Sequence, residues 1–185
     1  MSPALAVRGT GKFGWGSLLA SGDFDFITSA SFTTQASVSI DNCFSAGYDH
    51  YLVMRNLLGS SGDVQIDARL RVGGVSASGA DYRQQRLYGS STTVGGSRTT
   101  GATVWQWMGG YTETTSFGFA RLWLSNPFGT VRTTAWADGS YDADGNILLG
   151  SDVYEHDLTT SYDGISFIPL SGTITGSIYV YGLAV

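Results

Sequence analysis

The chain has 185 residues, 26 glycines, one lysine and a formal net charge of −5. Charged residues make up only 14% of it and aromatic residues 13%, which argues against a disordered chain. The acidic balance also argues against nucleic acid or an anionic membrane as the main partner, because both require a basic surface. Short aromatic and β-branched runs separated by Gly, Ser and Thr predict an all-β domain.

Residues 1–23 are predicted to form an N-terminal arm that precedes this domain. Arg8 and Lys12 interrupt its apolar stretch, so it does not resemble a signal peptide, and no segment is apolar enough for membrane insertion. A free tail rarely carries many apolar side chains, so the arm packs on its own domain or docks into a partner subunit. Its apolar residues are Leu5, Val7, Phe13, Trp15, Leu18 and Leu19.

Strands are predicted from period-2 alternation, because successive side chains of a strand face opposite sides. Residues 64–72 alternate apolar and polar side chains, which predicts one dry and one wet face; residues 120–124 and 174–181 alternate similarly. Further strands are predicted at 36–40, 51–57, 82–88, 103–108, 131–136 and 165–168.

Glycine doublets and Asp-Gly pairs divide these runs at intervals of about 8–15 residues, as in sandwiches and jelly rolls. The fold expected for residues 24–185 is therefore an antiparallel β-sandwich or jelly roll after an irregular arm. Cys43 is the only cysteine, so no intrachain disulfide can form, and it is expected to be a small buried side chain.

Trp105 and Trp107 are two residues apart on the predicted strand 103–108, so both indoles should project from one face. With Tyr111 nearby, they are candidates for a platform on which sugar rings stack. The alternative is packing in the core or in a subunit interface, where tryptophan is also enriched. Tyr179 and Tyr181 form a similar pair, for which we expect an interface.

Asp142, Asp144 and Asn146 place oxygen ligands at alternate positions around a glycine, as a calcium loop would. No glutamate stands at the distal position of such a loop, and we interpret the segment as an Asp-Gly turn between strands. No metal or other cofactor is therefore expected, with calcium kept as the alternative.

The chain is not expected to be an enzyme. His50 and His156 each have an aspartate neighbour, but adjacent residues on a strand point to opposite faces and form no dyad. No nucleophile elbow and no metalloprotease motif is present in the sequence. A glycan-degrading enzyme is the remaining catalytic alternative, and it would need two carboxylates about 5–10 Å apart in a cleft.

Three segments carry a resemblance to known proteins. DGISFIPLSGTITGSIYVYG at 163–182 resembles the closing hairpin of many tailed-phage virion proteins with a jelly-roll or sandwich domain. YDHYLVMRNL at 48–57 is similar to an early strand of those proteins, and IDARLRVGG at 66–74 with Asp81-Tyr82 resembles their next strand and loop. The resemblance covers residues 48–82 and 162–183.

The resemblance implies a structural component of the virion, tail-associated, of the minor tail, fibre or receptor-contacting type. It implies copies of the chain itself, as a homotrimer, and other virion proteins as partners, with the arm as a virion anchor and a host-surface glycan as a further contact. It carries no catalytic residues. The alternatives are a head decoration or collar protein, and a carbohydrate-binding module or lectin using the Trp105 platform.

Overall fold

The computed structural model describes residues 24–61, 63–108, 111–143 and 146–183. Their regular structure consists of strands only, so the predicted all-β class is confirmed. None of these residues belongs to a helix long and apolar enough to cross a membrane. The strands are β1 (Phe24–Gln35), β2 (Val38–Ile40), β3 (His50–Gly59), β4 (Val64–Val72), β5 (Val75–Ser76), β6 (Tyr82–Ser90), β7 (Thr93–Ala102), β8 (Tyr111–Thr112), β9 (Gly118–Ser125), β10 (Thr134–Ala143), β11 (Asn146–His156), β12 (Gly164–Pro169) and β13 (Ile174–Leu183).

The strands form two antiparallel sheets that pack as a sandwich. The larger sheet has eight strands in the order β1-β13-β3-β9-β10-β11-β6-β7. The smaller sheet has the order β2-β12-β4-β5, with β8 paired to β4. Because strands that follow each other in sequence often lie in different sheets, the chain crosses repeatedly between the layers.

The closing segment is one of these crossings and not a hairpin. β12 pairs with β2 and β4 in the smaller sheet, whereas β13 pairs with β1 and β3 in the larger one. The expected hairpin is therefore wrong, and Ser171-Gly172 turns the chain from one sheet to the other. Gly172 has a φ of 65°, a left-handed conformation that glycine adopts at little cost.

Two glycines of this segment are required by close packing. A Cβ at Gly176, whose φ is 150°, would lie 2.1 Å from the carbonyl oxygen of Asn56 on β3. A Cβ at Gly182 would lie 2.5 Å from the ring of Tyr48. The glycine spacing of the closing segment thus follows from how closely β13 approaches its neighbours.

The core lies between the two sheets, and β4 supplies its centre. Val64, Ile66, Ala68 and Leu70 are fully buried, as the alternation predicts. Burying each larger aliphatic side chain contributes roughly 1.5–3 kcal/mol. The polar face of β4 is not wet, however, because Gln65 and Asp67 are also buried, and Gln65 Nε2 donates to Asp67 Oδ1 at 2.6 Å.

The predicted strand at 103–108 is wrong. Only an isolated bridge between Trp105 and Ala68 forms there, and Trp107 has a φ of 62°, which breaks the extended conformation. The segment is held instead by single bonds to β4: Trp105 N donates to the Ala68 carbonyl and Met108 N to the Ile66 carbonyl.

β1, β7 and β11 are strands that the sequence did not predict, and β11 shows why. Its buried residues include Asp152, Tyr154 and His156, while Ile147 and Val153 point to solvent. Alternation is present, but the apolar set faces outward. Similar inversions occur on β10, where Trp136 is exposed and its neighbours are small and buried.

Candidate functional site

A continuous row of side chains crosses the outer face of the larger sheet, the face turned away from the smaller sheet. Register places one residue from each of the eight strands directly beside the next, and the first six are apolar. We call those six the aromatic row. In sheet order, the paired residues are Phe26, Tyr181, Leu52, Trp123, Trp136, Val153, Gln85 and Arg98. With strands about 4.8 Å apart, the aromatic row is roughly 24 Å long.

The rings at one end of the row contact each other. Phe26 and Tyr181 have ring centroids 5.7 Å apart in an edge arrangement. Phe24, the first residue of β1, reaches further: its ring centroid lies 6.4 Å from that of Tyr181 and 5.6 Å from that of Trp123. Because β13 and β3 lie between β1 and β9, the Phe24 ring leans across the sheet toward its centre.

Much of this apolar surface is open to solvent. Phe26 is 59% exposed, Val153 57% and Trp136 46%. Exposed apolar side chains in neighbouring rows extend the surface: Tyr179, Phe119, Leu87 and Leu149. We call the aromatic row, Phe24 and these four residues the aromatic face. Arg121, Asp138 and Ser151 interrupt this surface between the aromatic row and Phe119 and Leu149. Soluble monomers rarely expose this many large apolar side chains on one sheet face unless the face binds something.

A groove of about 330 Å³ runs along one side of the aromatic row. Trp123, Trp136 and Val153 supply walls on three adjacent strands, and Leu183 lines the end of the groove. Leu183 is also the direct cross-strand partner of Phe24. The groove therefore begins beside the residue at which the described chain enters the sheet.

Charged side chains within the aromatic face and at its border are paired with one another. Arg121 Nε lies 3.2 Å from Asp138 Oδ1 across β9 and β10. Arg83 and Arg132 each donate to Glu155 Oε1 at 2.7 Å. Asp157 Oδ1 lies 2.5 Å from Arg83 and 3.7 Å from Arg132, so two arginines face two carboxylates there. These polar groups are thus locally neutral, as the rim of a protein interface commonly is polar.

Several buried polar side chains hold the irregular segment at 105–108. Arg55 Nε donates to the Met108 carbonyl at 2.9 Å, Gln84 Oε1 accepts from Gln106 N at 2.8 Å, and Tyr154 Oη donates to the Gln106 carbonyl at 3.0 Å. Burial lowers the pKa of Arg55 to about 10, although Tyr154 opposes the change. These groups provide hydrogen bonds that a segment outside the ladders would otherwise lack.

A second buried polar group lies beneath Trp107. Arg86 Nε is 3.6 Å from Asp152 Oδ1, and the Arg86 guanidinium stacks 4.3 Å from the Trp107 ring centroid. Burial raises the pKa of Asp152 to about 7, against the opposing charge of Arg86. The guanidinium also lies 5.0 Å from the Tyr88 ring centroid, so two aromatic rings adjoin the charge.

The predicted sugar platform does not form. Trp105 has no exposed surface, and its Nε1 donates to the Glu155 carbonyl at 3.2 Å, so its indole belongs to the core. Trp107 is turned away from the strand path by its left-handed backbone and packs on Arg86. Tyr111 pairs with Gln65 through the backbone, and its side chain lies outside the described part of the structure.

The histidines do not pair with aspartates in a dyad. His156 is buried, with Tyr162 Oη 3.1 Å from its Nδ1 and the Tyr82 ring 4.4 Å away. Burial lowers the pKa of His156, against the opposing charges of Asp81 and Asp157. His50 lies on the larger sheet and lines the groove.

Two predictions fall outside what is described. Asp142 and Asn146 belong to the β10–β11 hairpin by backbone register, but their side chains and all of Asp144 lie outside the described residues. The arm residues Leu5, Val7, Phe13, Trp15, Leu18 and Leu19 lie outside them too, so the calcium and anchor hypotheses stay predictions. Within the described ranges, no three His, Cys, Asp or Glu side chains are grouped to hold a metal ion.

Comparisons of the chain with protein-family models, with curated proteins and with solved structures found no match. The aromatic face is thus the main feature from which a function can be argued. Sequence reasoning did not identify Trp123, Trp136 and Val153 as a group, because they lie on three different strands. Only the Tyr179–Tyr181 pair was singled out, and both of its residues lie on the aromatic face.

Proposed function

We propose that the chain is a structural component of a tailed-phage virion, tail-associated, whose copies associate through the aromatic face. The observation that carries the self-association is the aromatic row, an apolar stripe across six strands in which Phe26, Trp136 and Val153 are solvent-exposed in the single chain. The occupant we propose for it is a second copy of the same chain.

The size of the face supports this occupant. Eight strands about 4.8 Å apart, each contributing about eight residues at 3.4 Å, give a surface of roughly 900 Å². Stable protein interfaces bury about 800 Å² on each partner. One copy of the larger sheet is therefore large enough to form a standard interface.

The chemistry of the face supports it as well. Aromatic residues and arginine are enriched in interfaces, whereas lysine is depleted there. The aromatic face and its border contain this combination, with Trp123 and Trp136 at the centre and Arg121 beside them. Nine of the ten basic residues in the chain are arginines, which form directional pairs with carboxylates.

The virion assignment rests on the resemblance of segments 48–82 and 162–183. Gly176 and Gly182 in the second segment are needed for close packing of β13, so that part of the motif reflects architecture. A homotrimer would have a mass of about 59 kDa, three times the 19.6 kDa of the chain. Other virion proteins and a host-surface glycan complete the proposed set of partners.

Light scattering of the purified full chain tests self-association. We expect a mass that is a multiple of 19.6 kDa, and a shift toward the monomer in Val153→Lys. Val75→Lys is the matched control, because Val75 is also a strand valine, 68% exposed, but lies on the smaller sheet. A monomer at all concentrations, or equal effects of both substitutions, would contradict the proposal.

The virion role is tested by co-sedimentation of a tagged chain with phage particles from producing cells. We expect the full chain to be recovered with the particles and Val153→Lys to be lost from them. A glycan array with the same protein separates the carbohydrate-binding alternative. Glycan binding that depends on Trp136, without recovery in particles, would favour a lectin over a virion component.

A further inference from the structure

We infer that the part of a neighbouring copy that lies on the aromatic face is its N-terminal segment, residues 1–22. The inference rests on the proposed self-association and names the segment that supplies the contact. The groove beside the aromatic row would receive the apolar side chains of that segment, Phe13, Trp15, Leu18 and Leu19 among them.

The first described residues fix where this segment leaves the domain. Phe24 contacts Trp123 and Tyr181 on the outer face, with ring centroids 5.6 and 6.4 Å away. Asp25 accepts a hydrogen bond from Tyr48 Oη at 2.9 Å. The chain before residue 24 thus starts from an anchored position beside Leu183, at the end of the groove.

The direction of β1 favours a neighbouring copy over the same chain. β1 starts at Phe24, in register with Leu183 near the C-terminal end of β13. Extending β1 backward from Phe24 carries the chain past the end of the sheet, away from the groove of its own domain. A segment that continued in this direction would have to turn back to reach the groove of its own domain, whereas the groove of an adjacent copy could lie in line with it.

The length and chemistry of the segment match the surface. Twenty-two extended residues span at most about 75 Å, well beyond the roughly 24 Å of the aromatic row. The walls of the groove are mainly apolar, with Trp123, Trp136 and Val153 exposing carbon to solvent. The segment contains only two basic residues, Arg8 and Lys12, among its many apolar and glycine residues.

Cysteine crosslinking between differently tagged full chains tests the inference. Phe13→Cys, Trp15→Cys and Leu18→Cys are made separately in an untagged chain, and Val153→Cys in a tagged chain. The native Cys43 is buried, and burial raises the pKa of its thiol to about 12, so it stays unreactive in the folded protein. Mild oxidation of each mixture should yield a tagged–untagged dimer, and Val75→Cys in place of Val153→Cys should not.

A second measurement uses the full chain with Phe13→Ser, Trp15→Ser and Leu18→Ser combined. We expect its light-scattering mass to fall to that of the monomer while its unfolding midpoint is unchanged. If the oligomer persists and no arm cysteine crosslinks to Val153→Cys, the inference is overturned and the proposed self-association stands. If the native chain is a monomer, the proposed self-association is wrong, and the inference that rests on it is wrong as well.

The source of the segment is decided by the double variant Trp15→Cys/Val153→Cys. Crosslinked dimers and larger species support exchange between copies. A product that is crosslinked only within one chain overturns the inference, because the segment then covers its own face.

Discussion

Arg86 and Asp152 are direct cross-strand partners on β6 and β11, and both side chains point into the sandwich with Arg86 Nε 3.6 Å from Asp152 Oδ1. Trp107 covers the guanidinium at 4.3 Å. Removing either partner of a buried pair of this kind leaves the other charge buried without compensation, so either loss should destabilise the folded state.

The first prediction concerns the pH dependence of stability. Burial raises the pKa of Asp152 from 3.8 to about 7 in the folded state, even with Arg86 nearby. The folded state then binds this proton more tightly than the unfolded state, so the contribution of Asp152 to the free energy of unfolding falls as pH rises from about 4 to 7. Urea unfolding from pH 4 to 8 should show that the free energy of unfolding depends less steeply on pH in Asp152→Asn than in the native chain.

Asp138→Asn is the control for that profile, because Asp138 pairs with Arg121 on the solvent-facing side of the larger sheet. An Asp152→Asn profile as steep as that of the native chain would refute the assignment of this pH dependence to Asp152.

The second prediction concerns Arg55, which is buried and donates to the Met108 carbonyl. Arg55→Leu leaves that carbonyl without its partner, which costs about 1–3 kcal/mol in the free energy of unfolding. Arg121→Leu, on an exposed site, should lower the free energy of unfolding by clearly less. Chemical denaturation of both variants makes the comparison, and equal losses would argue against a role for Arg55 in holding the 105–108 segment.

The third prediction concerns Gly182, where a Cβ would lie 2.5 Å from the Tyr48 ring. Gly182→Ala should destabilise the domain by about 1–3 kcal/mol, because the partly buried ring packs against the core and its hydroxyl is held by Asp25. At Gly47 the nearest atom to a Cβ is Ser45 Oγ at 3.4 Å, so Gly47→Ala should cost less. Thermal unfolding of the two variants measures the difference, and the reverse order would contradict the packing argument.

The fourth prediction concerns the environment of Trp136, an exposed indole whose Nε1 donates to Ser151 Oγ at 2.9 Å. If copies associate through the aromatic face, dilution to the monomer should shift tryptophan emission to longer wavelength. Trp136→Phe should reduce that shift, whereas Trp107→Phe, at a tryptophan packed on Arg86, should not. An emission maximum that is independent of concentration in a sample that dissociates would refute the location of the interface.

The sequence predicted strands well where apolar side chains face the core. β4 is the clearest case, because Val64, Ile66 and Leu70 are all buried as the alternation indicates. The prediction failed at 103–108, because Trp107 has a left-handed backbone that interrupts the strand. The segment is held instead by hydrogen bonds from Arg55 and Gln84, which lie on strands distant in sequence. No local pattern contains that information.

The aromatic face illustrates the same limit for the site. Trp123, Trp136 and Val153 could each be identified as apolar strand residues, but alternation does not say which side of a sheet is covered. Their adjacency depends on the register of β9, β10 and β11, which is set by pairing along the whole larger sheet.

The sequence by itself determined the all-β class, the Gly73-Gly74 and Ser171-Gly172 turns and the core strand β4, because these depend on local conformational preference and on period-2 burial. Two other predicted turns are wrong: Gly95-Gly96 lies within β7 and Asp138-Gly139 within β10. Only the tertiary structure decided that β11 turns Asp152 inward and Val153 outward. The physical reason is that burial of a strand face depends on what packs against it: the smaller sheet covers one side of the larger sheet, and the other side keeps the aromatic face.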